Sequence, residues 1–343
     1  MSRRGFIATG LATIVAASCG SDQRSGSVGP STTNLADGVI DLRPTVTTVP
    51  SAEYLTPQSN FFLIDTVGSM YPRVDRDSWS LKIHGMVDKE IKITYADILA
   101  MPQVENVVTL ACVSNEIGGD LVGNAKWGGV LLADVLRAAG VQAGAQQLLS
   151  TSADGWNCGT PVEAVLDGRP AMLATHMNGE VLTGEHGFPV RMIVPGLFGF
   201  VSATKWVTDI EVTTWDAATP YWLERGWAKE APIIASSRID FPRNGQSMAG
   251  GTIPVGGVAW APRGGVGRVE VRVDGGGWSR CEIVESASGD AWVQWRAALK
   301  MPAGDHTLTV RCIDANGVIQ VADERDVIPA GATGLHSIDV TVA

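Results

Sequence analysis

Thr109-Leu110-Ala111-Cys112-Val113-Ser114-Asn115-Glu116, followed by Gly118-Gly119, is the stretch on which the reading of this chain turns. Val107, Val108 and Leu110 form an apolar run that reads as a buried strand, and the polar, Gly-containing segment after it cannot continue one. Cys112 therefore stands where a strand gives way to a loop. Side chains that bind or react are often carried on such loops by a rigid element behind them. By spacing alone, a small apolar filler, the usual fate of a free cysteine, fits this position too.

The 343 residues are 45% hydrophobic, enough for two domains with buried cores and too apolar for a disordered chain. The formal net charge is −10, with no Lys/Arg cluster, which sets nucleic acid and anionic membrane surfaces aside as partners. Residues 1–19 read as an export signal: Ser2-Arg3-Arg4-Gly5-Phe6-Ile7 carries the twin-arginine pattern, and Gly10 to Ala17 form a short apolar region. Ala16-Ala17-Ser18 before Cys19 looks like a lipoprotein cleavage box, although that box usually has leucine where Ala16 stands. An ordinary cleaved signal with an incidental Cys19 is the alternative. The apolar region is too short to span a bilayer. Residues 20–49, rich in Ser, Thr, Gly and Pro, read as a flexible tether. The chain is thereby expected at the extracytoplasmic face of the cell membrane.

Residues 50–230 read as a mixed α+β domain. Trp79 to Gly85 alternates as a strand, and Thr94 caps a short helix through Ala96, Ile98 and Leu99. Leu131, Leu132, Val135, Leu136 and Ala139 repeat at helical spacing up to Gly140, and Pro161 opens another helix. Met172 to Ala174, Val190 to Val194 and Trp206 to Val212 read as further strands. A boundary falls in the irregular stretch from Arg225 to Gly251. Residues 231–343 then read as about seven short strands, an immunoglobulin-like sandwich. Of the five cysteines, none makes a C-x-x-C pair or a Cys/His cluster, which argues against structural zinc. Cys281 and Cys312 both point inward in the sandwich, as a disulfide or as two separately buried thiols.

The run TLACVSNE…GNAKWGGVLLADVL, followed by MNGE…EHGFPVRMIVPGLFGFVSATKW, resembles the sulfite oxidase superfamily of molybdopterin-dependent oxidoreductases. The resemblance implies a molybdopterin-binding domain followed by an Ig-like domain of the dimerisation type, in an ordered series over roughly residues 54 to 342. It implies the molybdenum cofactor, with Cys112 as the protein's only ligand to the metal. It implies that His186 and Arg191 bind the pterin and its phosphate end. Ser202, Thr204 and Lys205, in a loop from Gly199 to Trp206, would cradle the phosphate; Asn60, Phe61 and Phe62 would pack along the pterin; and Thr160 would place a hydroxyl near it. A soft thiolate suits a metal held by sulfur, and the arginine fork suits phosphate.

The substrate positions depart from the family. Where sulfite oxidases hold their dianion with arginines, this chain has Ile64 and Ile117 by a gap-free placing, and the family's tyrosine falls near Trp156. An anion would lose its charge-assisted hydrogen bonds there, so sulfite fits poorly. The expected activity is oxygen-atom transfer on a small, sulfur-containing molecule, in either direction, with Asn115 and Glu116 as catalytic candidates beside Cys112. Asp120 and Asp154 are the other acidic neighbours. The chain has no c-type haem attachment sequence, which implies a separate electron-transfer partner. A reading of another class is a lipid-tethered binding module that keeps the fold without metal.

Overall fold

Local chemistry sets most element ends in the computed structural model, which describes residues 53–68 and 70–343. The signal expected over 1–19, Cys19 and the linker over 20–49 lie outside the described residues. In chain order the first domain holds β1 (Ser80–Gly85), β2 (Ile91–Thr94), α1 (Tyr95–Ala100), β3 (Val104–Ala111), β4 (Val122–Leu131) and α2 (Leu132–Ala139). There follow β5 (Gln147–Ser152), β6 (Asn157–Pro161), α3 (Val162–Leu166), β7 (Met172–Met177), β8 (Glu180–Val181), β9 (Arg191–Ile193) and β10 (Val207–Thr213). Thr94 makes a reciprocal cap: Asp97 N–H donates to its Oγ1 (3.2 Å), and its own N–H donates to the Asp97 carboxylate (2.8 Å). Gly140 closes α2 at φ +73°, and Pro161 stands directly before α3. The three helices are short, and β-structure dominates.

Two sheets form this domain, one in the order β2-β1-β10-β5-β6 and one in the order β3-β4-β7-β8, with β9 on β7. The second sheet is buried on both faces. Val108 and Leu110 of β3 pack with Ala125, Trp127, Met172 and Ile193, while Ala111 packs with Val122, Val130, Leu173 and Met192 on the other side. Double-sided burial explains why β4 carries no alternating signature in the sequence: Gly123, Gly128, Gly129 and apolar residues fill both faces. Among the described residues no helix is long and apolar enough to cross a membrane.

The sandwich adds β11 (Ser236–Phe241), β12 (Gln246–Met248), β13 (Gly251–Trp260), β14 (Val266–Val273) and β15 (Ser279–Arg280). It closes with β16 (Glu282–Glu285), β17 (Val293–Met301), β18 (Gly304–Asp314) and β19 (Ser337–Val342). Its sheets run β11-β13-β17-β16 and β12-β19-β18-β14-β15. The stretch read as irregular, Arg225 to Gly251, contains β11 and β12, and two of the strands are too short to leave a periodic signal. Val269, Val271, Leu308, Val310, Val340 and Trp295 lie in the core between the sheets. Cys281 and Cys312 are free thiols buried there, so the disulfide alternative is set aside. Burial pushes both thiols up, Cys312 to about 12.

The two domains share a buried seam. β3 is the edge of its sheet, and the loop joining β16 to β17 covers it. Thr109 N–H donates to Asp290 O (2.9 Å), Trp292 N–H to Thr109 Oγ1 (2.7 Å), and Ser288 Oγ to Val107 O (3.2 Å). The Trp292 ring, 1% exposed, is buried in the first domain's core, and its Nε1 donates to Tyr54 O (3.0 Å). Trp292→Ala should therefore destabilise the whole chain by about 3–5 kcal/mol in urea unfolding, with both domains losing stability in one transition.

Candidate functional site

Cys112 follows the last residue of β3 and begins a tight loop. Its N–H donates to Leu121 O (2.9 Å), Asn115 N–H donates to Cys112 O (3.1 Å), and Leu121 N–H donates to Asn115 Oδ1 (2.8 Å). The sulfur is half-buried and accepts from Ser114 N–H at 3.4 Å. Burial pushes the thiol above its ordinary value, against the hydrogen bonds at Ser114. It lines a cavity of about 110 Å³ whose other walls come from five further segments. Phe62, Ile64 and Asp65 precede β1; Ser152, Asp154 and Trp156 form the β5–β6 turn; Arg191 stands on β9; Phe200, Lys205, Trp206 and Trp222 come from the loops around β10.

Arg191 is the least compensated charge at this cavity. It is 5% exposed, and its guanidinium donates to His186 O (3.0 Å) and Ala203 O (3.3 Å) and lies 5.0 Å from the centre of the Trp127 ring. Nε has no partner among the described residues, and neither has the buried Ser152 Oγ. Desolvation pushes Arg191 down to about 9. Carbonyl oxygens and a ring face thus hold a cation that has no carboxylate beside it among the described residues. Lys205 differs: it donates to Asp65 Oδ2 (2.8 Å) and Glu185 O (3.1 Å) and stands 4.6 Å from the Trp206 ring centre. Burial lowers Lys205, Asp65 raises it, and Arg191 lowers it further.

The other residues singled out in the sequence split into three groups. Phe62, Ile64 and Trp156 reach the cavity with Cys112, Arg191 and Lys205. Phe61 and His186 stand behind it: Phe61 packs against Phe62, Trp127 and His186, and His186 Nε2 faces Gln58 O at 2.8 Å. With that carbonyl as acceptor, Nε2 carries the proton, and burial pushes His186 down, towards the neutral ring. The third group lies away from the cavity. Asn60 is exposed and accepts from Ser59 Oγ.

In the loop expected to cradle the phosphate, the hydroxyls turn inward. Ser202 Oγ donates to Leu197 O and Phe198 O (both 3.0 Å), Thr204 Oγ1 meets Ser150 Oγ at 2.7 Å, and Thr160 Oγ1 donates to Val201 O at 2.6 Å. These hydroxyls are fully buried and spend their hydrogen bonds holding the loop, so Lys205 alone of that set faces the cavity. Asn115 and Glu116, expected beside Cys112 as catalytic candidates, are not among the residues that line the cavity. The Asn115 side chain closes the Cys112 loop, and exposed Glu116 lies with Ile117 on a separate cleft against residues 324–327 and 332–335. Asp65, Ser152, Phe200, Trp206 and Trp222 were not legible as site residues. The Asp154-Gly155 turn was a readable hairpin signal, with Gly155 at φ +89°, and it delivers Ser152, Asp154 and Trp156 together.

Residues 68–222 match the oxidoreductase molybdopterin binding domain, and residues 236–310 match a bacterial Ig domain. An uncharacterized oxidoreductase of Bacillus subtilis, YuiH, is 34% identical over 139 residues, covering 40% of this chain and 67% of that protein. Human mitochondrial sulfite oxidase is 27% identical over 311 residues, covering 76% of this chain and 55% of that protein. The Arabidopsis thaliana sulfite oxidase is 29% identical, covering 72% and 78%. The chain thus spans about half the length of the mitochondrial sulfite oxidases it matches. The crystal structure of the sulfane dehydrogenase SoxCD from Paracoccus pantotrophus superimposes with a TM-score of 0.72 at 25% identity, over 83% of this chain and 80% of that one. With this fold, the two domains in this order and these relatives, the chain belongs to the sulfite oxidase superfamily of molybdopterin-dependent oxidoreductases.

Proposed function

We propose that this chain is an exported oxidoreductase that carries the molybdenum cofactor with Cys112 as the protein's metal ligand, and that it transfers oxygen to or from a small, uncharged sulfur compound. The observation that carries this reading is the free Cys112 thiol on the same cavity as a buried guanidinium without a carboxylate partner. Arg191 Nε and Ser152 Oγ, without a partner among the described residues, fit a group rich in acceptors, and a guanidinium fits phosphate in particular. When bound, the cofactor supplies two-electron oxygen-atom chemistry.

The chain's own residues hold, screen and select. Arg191 and Lys205 offset negative charge on the bound group, and Phe61 and His186 fix the wall behind it. Ile64, Trp156 and Trp222 exclude water from the open side and offer no cation to a dianion. That supports a thioether or sulfoxide over sulfite. Converting a thioether and water to a sulfoxide releases two protons and two electrons, and the reverse consumes them. Half-buried Asp154, which accepts from Trp156 N–H (3.0 Å), is the carboxylate that would pass protons to solvent. The electrons go to or come from a separate redox protein. The names of the relatives, sulfite oxidase and sulfane dehydrogenase, support sulfur as the reacting element. The twin-arginine pattern at Arg3-Arg4 supports export, and Cys19 supports a lipid anchor.

Elemental analysis of protein made in a host that builds the cofactor tests the core of this reading. Near-stoichiometric molybdenum is expected, with Cys112→Ser losing the thiolate–metal absorption and all activity; a folded native chain without metal would leave a binding module instead. Sulfoxides with reduced dyes, or thioethers with an oxidised dye, should turn over faster than sulfite with ferricyanide, and rapid sulfite oxidation at low concentration would sink the uncharged-substrate idea. Arg191→Met should lose the cofactor yet stabilise the cofactor-free chain by about 1–3 kcal/mol in urea unfolding, because a buried cation without a counter-charge costs more than an apolar side chain in its place. A destabilised cofactor-free variant would show that the two carbonyls and Trp127 outweigh that cost.

A further inference from the structure

The segments on both sides of Cys112 are held from the sandwich. Before it, β3 is paired along its open edge by residues 288–292, as described above. After it, the loop reaches Gly118 and Gly119 and meets two side chains of the second domain. Arg238, on β11, donates from Nη1 to Gly119 O at 2.7 Å, while its Nε donates to Asp240 Oδ1 at 2.6 Å. His336, just before β19, packs directly on Gly118: a Cβ at that residue would stand 2.3 Å from the ring's Cδ2. Ile239 N–H donates to His336 Nδ1 (3.0 Å), which fixes the ring. Gly118 has φ +76°, so the backbone as well as the contact requires glycine there.

Within its own domain the loop is tied at its base through Cys112, Asn115 and Leu121 and by Val113 in the core, and near its tip by one hydrogen bond, Gly119 N–H to Glu116 O (2.9 Å). Gly118 and Gly119 at its tip have no side chains to pack, and Ile117 just before them faces the cleft against residues 324–327 and 332–335 rather than its own domain's core. Such a segment opens locally unless something outside holds it. A metal ligand, in contrast, needs its sulfur fixed to within about half an ångström by the surrounding shell. The guanidinium of Arg238, itself paired with Asp240 in a largely buried setting, supplies a charge-assisted hydrogen bond to a single tip carbonyl.

We propose that the Ig-like domain is the positioning device for Cys112, with Arg238 and His336 as positioning residues that clamp the loop at Gly118–Gly119 while residues 288–292 hold the strand before it. The inference rests on Cys112 being the ligand, and its test reads the loop with and without metal.

The experiment is iodoacetamide labelling of the full cofactor-free chain, with peptide mapping by mass spectrometry, beside the thiolate–metal absorption band of the loaded protein. Arg238→Met/Asp240→Asn, which removes the pair without leaving a lone carboxylate, and His336→Ala should each raise the Cys112 labelling rate about five-fold or more, as local opening of the loop. Cys158, Cys281 and Cys312 should stay unlabelled, and the absorption band should shift or broaden. Arg238→Lys should restore part of the protection. Arg296→Met, which breaks an ion pair with Glu282 in the same sandwich, should leave Cys112 at its parent rate. If a clamp variant exposes the buried thiols it has unfolded, and Gly118→Ala, which displaces His336 from the loop's side, then decides. Folded variants that label Cys112 within about two-fold of the parent and keep the band unchanged would overturn the proposal. Labelling in the absence of metal separates that failure from a failure of Cys112 ligation, which metal content and the Cys112→Ser variant report.

Discussion

The open edge of β3 is the constraint from which the rest follows. An edge strand presents backbone donors and acceptors that must find partners once buried, and Thr109 is fully buried. A loop of the sandwich provides those partners. The Thr109 hydroxyl also donates to Asn124 Oδ1 (3.0 Å), Asn124 Nδ2 donates to Tyr54 O (2.9 Å), and Trp292 Nε1 donates to the same carbonyl. One network therefore ties the start of the first domain, β3, β4 and the second domain together. Fully satisfied buried networks specify one arrangement, because any slip leaves a polar group without a partner in low dielectric. The first domain is incomplete without the sandwich, and Cys112 lies three residues beyond Thr109, the centre of that joint.

Charge in the cavity is arranged by depth. Arg191 lies deepest, on a three-residue strand between apolar neighbours, and its partners are carbonyls and the Trp127 ring. Lys205 is paired with Asp65, and both side chains are about one-tenth exposed. Asp154 lies nearer solvent. The uncompensated positive charge is thus concentrated on Arg191, at the floor, and the approach is carboxylate and aromatic. Such a gradient favours an anionic group at the floor, while the second cation on the cavity wall, Lys205, is already paired with Asp65.

Features decided within a few residues were legible in the sequence. The end of the apolar run placed Cys112 at a strand terminus, Thr94 and Asp97 wrote a helix start, and Gly140 wrote a helix end. The motif around His186 to Arg191 and the loop to Lys205 lie at the cavity that Cys112 lines. What the motif did not say is which way each side chain turns. Ser202 and Thr204 look like phosphate ligands as residue types, yet each is buried and bonded to the protein interior. β4 escaped because burial on both faces removes alternation. Arg238 and Gly119, 119 positions apart, and Thr109 and Trp292, 183 apart, are joined only by the packing of the two domains.

That division has a consequence for how the site can change. The residues proposed to grip the cofactor belong to the strands and to the buried loop between β9 and β10, where each substitution disturbs a satisfied core. The walls facing a substrate come from the segment before β1, the β5–β6 turn and a short 3₁₀ turn beginning after Trp222, all nearer the surface. Ile64 is half exposed and Trp156 is only partly buried, and neither belongs to a core cluster of the described residues. Replacing them alters shape and charge at the opening at little cost to folding, since surface-proximal substitutions away from buried networks cost about 0.5 kcal/mol or less. On the proposed reading, the grip on the cofactor is thereby decoupled from the choice of substrate. That reading would let two chains of this fold keep one metal chemistry and turn it on an anion or on an uncharged sulfur compound by changing two or three side chains at the rim.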